Sequence, residues 1–487
     1  MMPRKTLRIV FAALLLSPIG GCGDGSDDGP IEVSVIGKPD QISAPLANLA
    51  SDAGKVAFGA TARGLVTYDN NGAVVPALAQ RWIVVDDGKS YIFRLRRARW
   101  ANGERVDARD VRQLLRKHIR AAVAQDPYGP LASVTEVLAM TADVIEIRLQ
   151  SPQPDFLLAL AQPEMGIAQP DGGSGPYRQA EANDDPGAIL LAPAASMADP
   201  EARPADRSKR ILRSERPAAA IIRFERGEAD MMLGGRLADL PYISLAEVDR
   251  NSVRFDPVQG VFGLALSPKT PLFDDPNVRE ALAMAVERES IIAYFEMNRW
   301  KIANQIIPQQ FDLPHPPTAP AWDRMTMEER RNRASGVITR WRAQHGGKPV
   351  TLGIALPEGP GMQLLFLALK MQFRAIGIEI EQVSEKADLI LIDEIAPYDG
   401  ASWYLGRLSC ARQVHCSKEA EELLRSSLSA ATMAERTEFL GQAEPLIQAH
   451  NGFIPLAAPV RWSLVRPQLD DYQPSQRNYH DLRWLEK

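Results

Sequence analysis

Between Val350 and Ile392 the chain changes periodicity twice, and that leaves few folds open. Val350–Leu356 reads as a strand; Met362, Leu365, Phe366, Leu369, Phe373 and Ile376 then recur at helical spacing until Gly377 stops the helix. Ile378–Val383 and Ala387–Ile392 read as further strands. Two strands joined by a helical crossover lie parallel, and a parallel sheet needs helices over its faces. The expected class is therefore α/β, with the Met/Phe stripe in the core.

At 487 residues the chain is too long for one ordinary domain. Hydrophobic residues make up 45% and charged ones 24%, enough to bury a large core and stay in solution, which excludes wholesale disorder. The formal charge of -5 argues against a nucleic-acid protein working through a basic field.

The N-terminus has the plan of an export signal. Arg4, Lys5 and Arg8 precede an apolar run, Ile9–Ile19, that is too short to cross a bilayer, which takes about 20 residues. Ile19-Gly20-Gly21-Cys22 resembles the lipobox of bacterial lipoproteins, which implies cleavage after residue 21, acylation of Cys22 and a membrane-anchored lipoprotein on the periplasmic side of the envelope. The alternative is an ordinary cysteine in a plain signal peptide. Residues 22–30, rich in Gly, Asp and Ser, suit a flexible tether.

The most informative stretch is Leu65–Ile119. An apolar segment ends at the Asn71-Gly72 turn, a second piece runs around Pro76 and Trp82, and Tyr91, Phe93 and Leu95 alternate with polar or outward positions as in a half-buried strand. Asn102-Gly103 makes another turn, and Asp107 is placed to cap a helix whose Val111, Leu114, Leu115 and Ile119 share a face. The order Val66-Thr67-Tyr68-Asp69, Pro76-Ala77-Leu78-Ala79-Gln80-Arg81-Trp82, Asp87-Gly88-Lys89, Asn102-Gly103 and Ala108-Arg109-Asp110-Val111 resembles the extracytoplasmic solute-binding proteins of ABC importers of the peptide, dipeptide and nickel class. Gly173-Ser174-Gly175-Pro176-Tyr177, Gly227-Glu228-Ala229-Asp230 and the helix opening Asp275-Pro276-Asn277-Val278-Arg279 extend the resemblance.

The resemblance implies a two-lobed periplasmic-binding-protein-like α/β fold with mixed sheets, of the large, peptide-binding type. Its first lobe is expected at 31–258 plus 462–487, with 61–167 as an extra subdomain, and its second at 259–461, with hinge crossings near 256–266 and 458–463. Glu181–Arg216 matches the family poorly and reads as variable loop; Pro314–Pro320 reads as irregular.

No hydrolase, zinc-protease, phosphate-loop or dinucleotide motif is present, and the six histidines are scattered, so no enzyme, cofactor or metal is expected. His118 reads as a solvated helix residue and His450 as a cation at a helix C-terminus. Cys410 and Cys416, in an oxidising compartment, favour a disulfide; a zinc or nickel site with His415 is the alternative.

For the ligand, the family's peptide binders pair an aspartate in a Trp-x-x-Asp-Tyr-x-Asp-Pro segment with the peptide amine. Here Tyr398 matches the tyrosine, but Pro397 stands where the aspartate belongs. Asp393, Glu394 and Asp399 are the neighbouring carboxylates placed either to supply that charge or merely to solvate a loop; Trp403 and Tyr404 are candidate apolar walls. The function expected is capture of a peptide or similar small solute for a membrane permease and its ATPase. The competing expectation is a transport-inactive sensor or envelope chaperone on the same scaffold.

Overall fold

The computed structural model describes residues 29–485 except 70, 171, 182–184, 186, 195–204, 247, 298–299 and 470. The expected signal segment, Cys22 and most of the tether thus lie outside the described residues.

Three large sheets organise the chain. The first has seven strands in the order Tyr177–Glu181, Ala188–Pro193, Arg210–Glu215, Ile31–Ile36, Met231–Arg236, Arg461–Val465, Val253–Phe255. At its centre Ile31–Ile36 runs parallel to both neighbours, its Ile31, Val33 and Val35 fully buried. The variable-loop expectation for Glu181–Arg216 is corrected here: Ala188–Pro193 and Arg210–Glu215 are strands of this sheet. The second was hidden because its buried positions, Arg210, Leu212 and Ser214, include two polar residues. Arg210 satisfies its guanidinium on the carbonyls of Leu482 and Leu485, some 270 residues away.

The second sheet follows the order Ile378–Gln382, Val350–Ala355, Leu389–Ile395, Gly260–Leu266, Phe453–Ala457. Its first three strands are parallel, with the helix Pro360–Arg374 as the crossover expected from the spacing; Gly260–Leu266 runs antiparallel, so the sheet is mixed. Met362, Leu365, Leu369 and Phe373 of that helix are buried on the sheet. Gly377 ends the turn with φ +87°, a conformation open to glycine without strain. The chain passes between the two sheets at residues 256–259 and 458–460.

A third, antiparallel sheet (Ala79–Val85, Ser90–Leu95, Val144–Leu149, Val134–Thr141 in spatial order) is covered by the helix Ala108–Gln125. Asp107 caps this helix by accepting from the N–H groups of Arg109 and Asp110 at 2.7 and 3.2 Å. Its apolar face joins one core cluster that continues through Tyr128 and Leu131 to Tyr398, Trp403 and Leu405, so the subdomain packs against the second lobe. Among the described residues no helix is long and apolar enough to cross a membrane.

A solute cleft between the lobes

A cleft of about 680 Å³ opens where all three units meet. From the first sheet come Val35, Leu233, Gly234 and Arg236, at or near the carboxyl ends of parallel strands, where open α/β sheets place their ligands. From the second come Asp393, Glu394 and Ile395, at the carboxyl end of Leu389–Ile395, followed by Ala396–Tyr398 and Trp403. The helix Ala108–Gln125 adds His118, Ala121, Ala122 and Gln125, with Asp126 just beyond its end. The helix Asp52–Thr61, capped by the Ser51 side chain accepting from the Gly54 N–H, brings Asp52 and Lys55 to the cleft.

The walls carry many charges, and almost all are paired. Asp52 accepts from Arg236 at 2.7 Å, Glu164 meets Lys55 at 2.6 Å, and Asp393 meets Arg461 at 2.8 Å. Glu394 takes Arg407 in a two-pronged pair at 2.6 and 2.7 Å. Asp126 accepts from the Tyr398 hydroxyl at 2.8 Å, a bond that spans from the subdomain to the second lobe. Burial pushes the Asp126 carboxyl up to about 6, against the opposing pull of Tyr398 and Arg412. The Tyr68 hydroxyl donates to the Leu158 and Pro397 carbonyls at 2.6 and 3.2 Å, so the proline at the aspartate position contributes an acceptor that is already engaged.

Of the six residues singled out in the sequence, Asp393, Glu394, Tyr398 and Trp403 line the cleft; Asp399 and Tyr404 do not. Asp399 is drawn aside into an ion pair with Arg477 at 2.5 Å. Tyr404 is fully buried, stacked on Phe311 with ring centroids 5.5 Å apart, and belongs to the core. His118 is also corrected: it is buried rather than solvated, and burial holds its pKa below the usual value. His450 is no helix-end cation, because burial and then the nearby Arg279 and His415 lower it to about 4. Cys410 and Cys416 are bonded through their sulfurs, with Cα atoms 5.1 Å apart. Among the described residues no three His, Cys, Asp or Glu side chains are placed to hold a metal ion.

Sequence reasoning missed the arginines. Arg407, Arg412, Arg461 and Arg477 all line the cleft, and no local motif marks them. Arg461 alone left a trace, as a single charge in the otherwise uncharged run from Phe453 to Val465.

Two lobes, an added subdomain and a polar cleft between them define a two-lobed solute-binding protein. Solved structures share the fold. Haemophilus influenzae OppA in complex with RPPGFSPFR superposes with a TM-score of 0.77 over 94% of this chain and 99% of that one, at 17% identity. The Escherichia coli murein tripeptide binding protein MppA gives 0.76 over 94% and 98%, at 18% identity. Among curated relatives, the dipeptide-binding protein DppE of Bacillus subtilis is 20% identical over 87% of this chain and 86% of its own length. The periplasmic oligopeptide-binding protein OppA of Escherichia coli is 21% identical over 84% and 83%. Residues 73–394 match the model of bacterial extracellular solute-binding proteins, family 5, middle part, and the chain belongs to that family.

Proposed function

We propose that the chain is the substrate-binding component of an ABC importer, which captures peptides or similar small solutes between its lobes and delivers them to a membrane permease and its ATPase. The observation that carries this reading is the cleft of about 680 Å³, within the range of small-molecule sites and walled by both lobes and the subdomain. A solute that touches both walls favours the closed form, because it gains contacts there that the open form lacks. The lobes in this reading are 31–258 plus 462–487, with the 61–167 subdomain, and 259–461, and they hinge at the two crossings. Asp393, Glu394, Tyr398 and Trp403 meet the solute; the role is binding and not catalysis. Cys22, acylated, anchors the protein at the periplasmic side of the envelope, and the relatives named as periplasmic support that compartment.

Equilibrium titration with a panel of di- to pentapeptides tests the proposal. Saturable binding with one site per chain is expected; no binding up to millimolar concentration would sink it.

A further inference from the structure

Among the described residues six lysines and arginines line the cleft, and five are spent. Lys55, Arg236, Arg407 and Arg461 each sit within 3 Å of a lining carboxylate, and Arg477 is held by Asp399. Arg412 is different. It lies in the turn Cys410–Arg412, inside the loop closed by the Cys410–Cys416 bond. Among the described residues only its Nη1 is hydrogen-bonded, to the carbonyl and side-chain oxygens of Gln125 across the cleft. The one carboxylate in ion-pair range is Glu394, whose Oε2 stands 4.0 Å from Nη2 and already receives Arg407 at 2.6 Å. Arg412 lines the cleft, and the Nε–Nη2 edge of its guanidinium, a planar fork matched to a carboxylate, makes no hydrogen bond among the described residues.

The negative side shows the converse. Asp52, Asp126, Glu164, Asp393 and Glu394 all have partners, and Pro397 supplies no charge. A solute ammonium would have to displace an arginine or a tyrosine to reach a carboxylate, and a displaced arginine left unpaired in a buried wall is costly.

We propose, building on the solute-binding reading above, that the cleft selects solutes by a carboxylate, received on the Nε–Nη2 edge of Arg412 beside Arg407, and makes no demand on a free amine. An incoming anion also relieves Arg412, whose pKa is lowered by burial and by the neighbouring Arg407 charge. The disulfide loop and the Gln125 contact hold the fork in place before the solute arrives.

The test uses the mature full-length protein and pooled random-sequence tripeptides in four end states: free, N-acetylated, C-amidated, and blocked at both ends. Affinity is read by calorimetry and native mass spectrometry. N-acetylation is expected to change affinity less than about threefold and amidation to weaken it about tenfold, the loss of one charge-assisted bidentate contact. Arg412→Gln, with folding checked by circular dichroism and melting temperature, should erase the roughly tenfold difference between its own free-acid and amidated pools; a difference that persists in the folded variant overturns the inference. Loss of binding on acetylation alone, or equal binding of all four pools, overturns this inference and leaves the solute-binding reading standing. Failure of every pool up to millimolar concentration overturns both.

Discussion

Arg461 is 2% exposed, and Asp393, 2.8 Å away, is the carboxylate that lets a full charge stay there. Removing one partner of such a pair leaves a buried charge without compensation. Asp393→Ala is therefore expected to cost about 3–5 kcal/mol, read from the chemical-denaturation midpoint. Of the cleft carboxylates, Asp393 and Glu394 were legible in the sequence as acids near a family motif, while Asp52, Asp126 and Glu164 carry no such local mark; what any of them does was not legible. Asp393 and Arg461 lie 68 residues apart and Asp399 and Arg477 lie 78 apart, so only the folded chain shows that these groups face arginines. Asp126 gives the pH dependence. Burial raises its pKa to about 6, so between the ordinary value of 3.8 and about 6 the folded chain holds a proton that the unfolded chain lacks. By linkage the fold loses stability as pH rises through that window and gains it as pH falls. Facing it are the Tyr398 hydroxyl, the Arg412 cation and the N–H groups of Tyr128 and Gly129. Asp126→Asn should flatten this contribution: its melting temperature relative to the unsubstituted protein is expected to be higher at pH 7 than at pH 4.5. Asp155 and Asp239, also raised to about 6 by burial, are common to both proteins and cancel in the comparison.

The elements divide by whether their signals are local. The cap at Asp107, the cap at Asp275 and the stop at Gly377 depend on groups within a few residues, and all three were readable from the sequence. The strand Arg210–Glu215 was not, because the partners that make its polar positions tolerable come from the C-terminal tail. The strand Met231–Arg236 shows a further device. Its pairing with Arg461–Val465 shifts register between Met232 and Gly235, and a Cβ on Gly235 would stand 2.3 Å from the Trp462 ring. Trp462 is itself fully buried and donates its indole N–H to the Arg236 carbonyl at 2.9 Å, so it has little room to retreat. Gly235→Ala is expected to destabilise the protein by about 1–3 kcal/mol in thermal or chemical unfolding, as overpacking does.

At the scale of the whole molecule the ordered motifs of residues 65–119 made the family legible, and the strand–helix–strand stretch made the class of the second lobe legible. The shape of the cleft was not, since its lining is gathered from segments between Val35 and His480. The lobes meet through contacts no single segment reveals: Tyr398 to Asp126, Arg412 to Gln125, Ser151 to the Leu428 carbonyl, and Tyr68 to the Pro397 carbonyl. These bonds join the two walls of the cleft, and a solute that contacts both walls adds to them. If solute binds inside this cleft, filling the cleft must weaken binding. Ala121 lies on its wall, on the exposed side of the helix Ala108–Gln125, where a large side chain fills the cleft without disturbing the core. The direct measurement is the dissociation constant of the tightest-binding peptide for the protein and for Ala121→Trp. A loss of at least about tenfold, about 1.4 kcal/mol, is expected with an unchanged melting temperature; an unchanged affinity in the folded variant would place the solute outside the cleft.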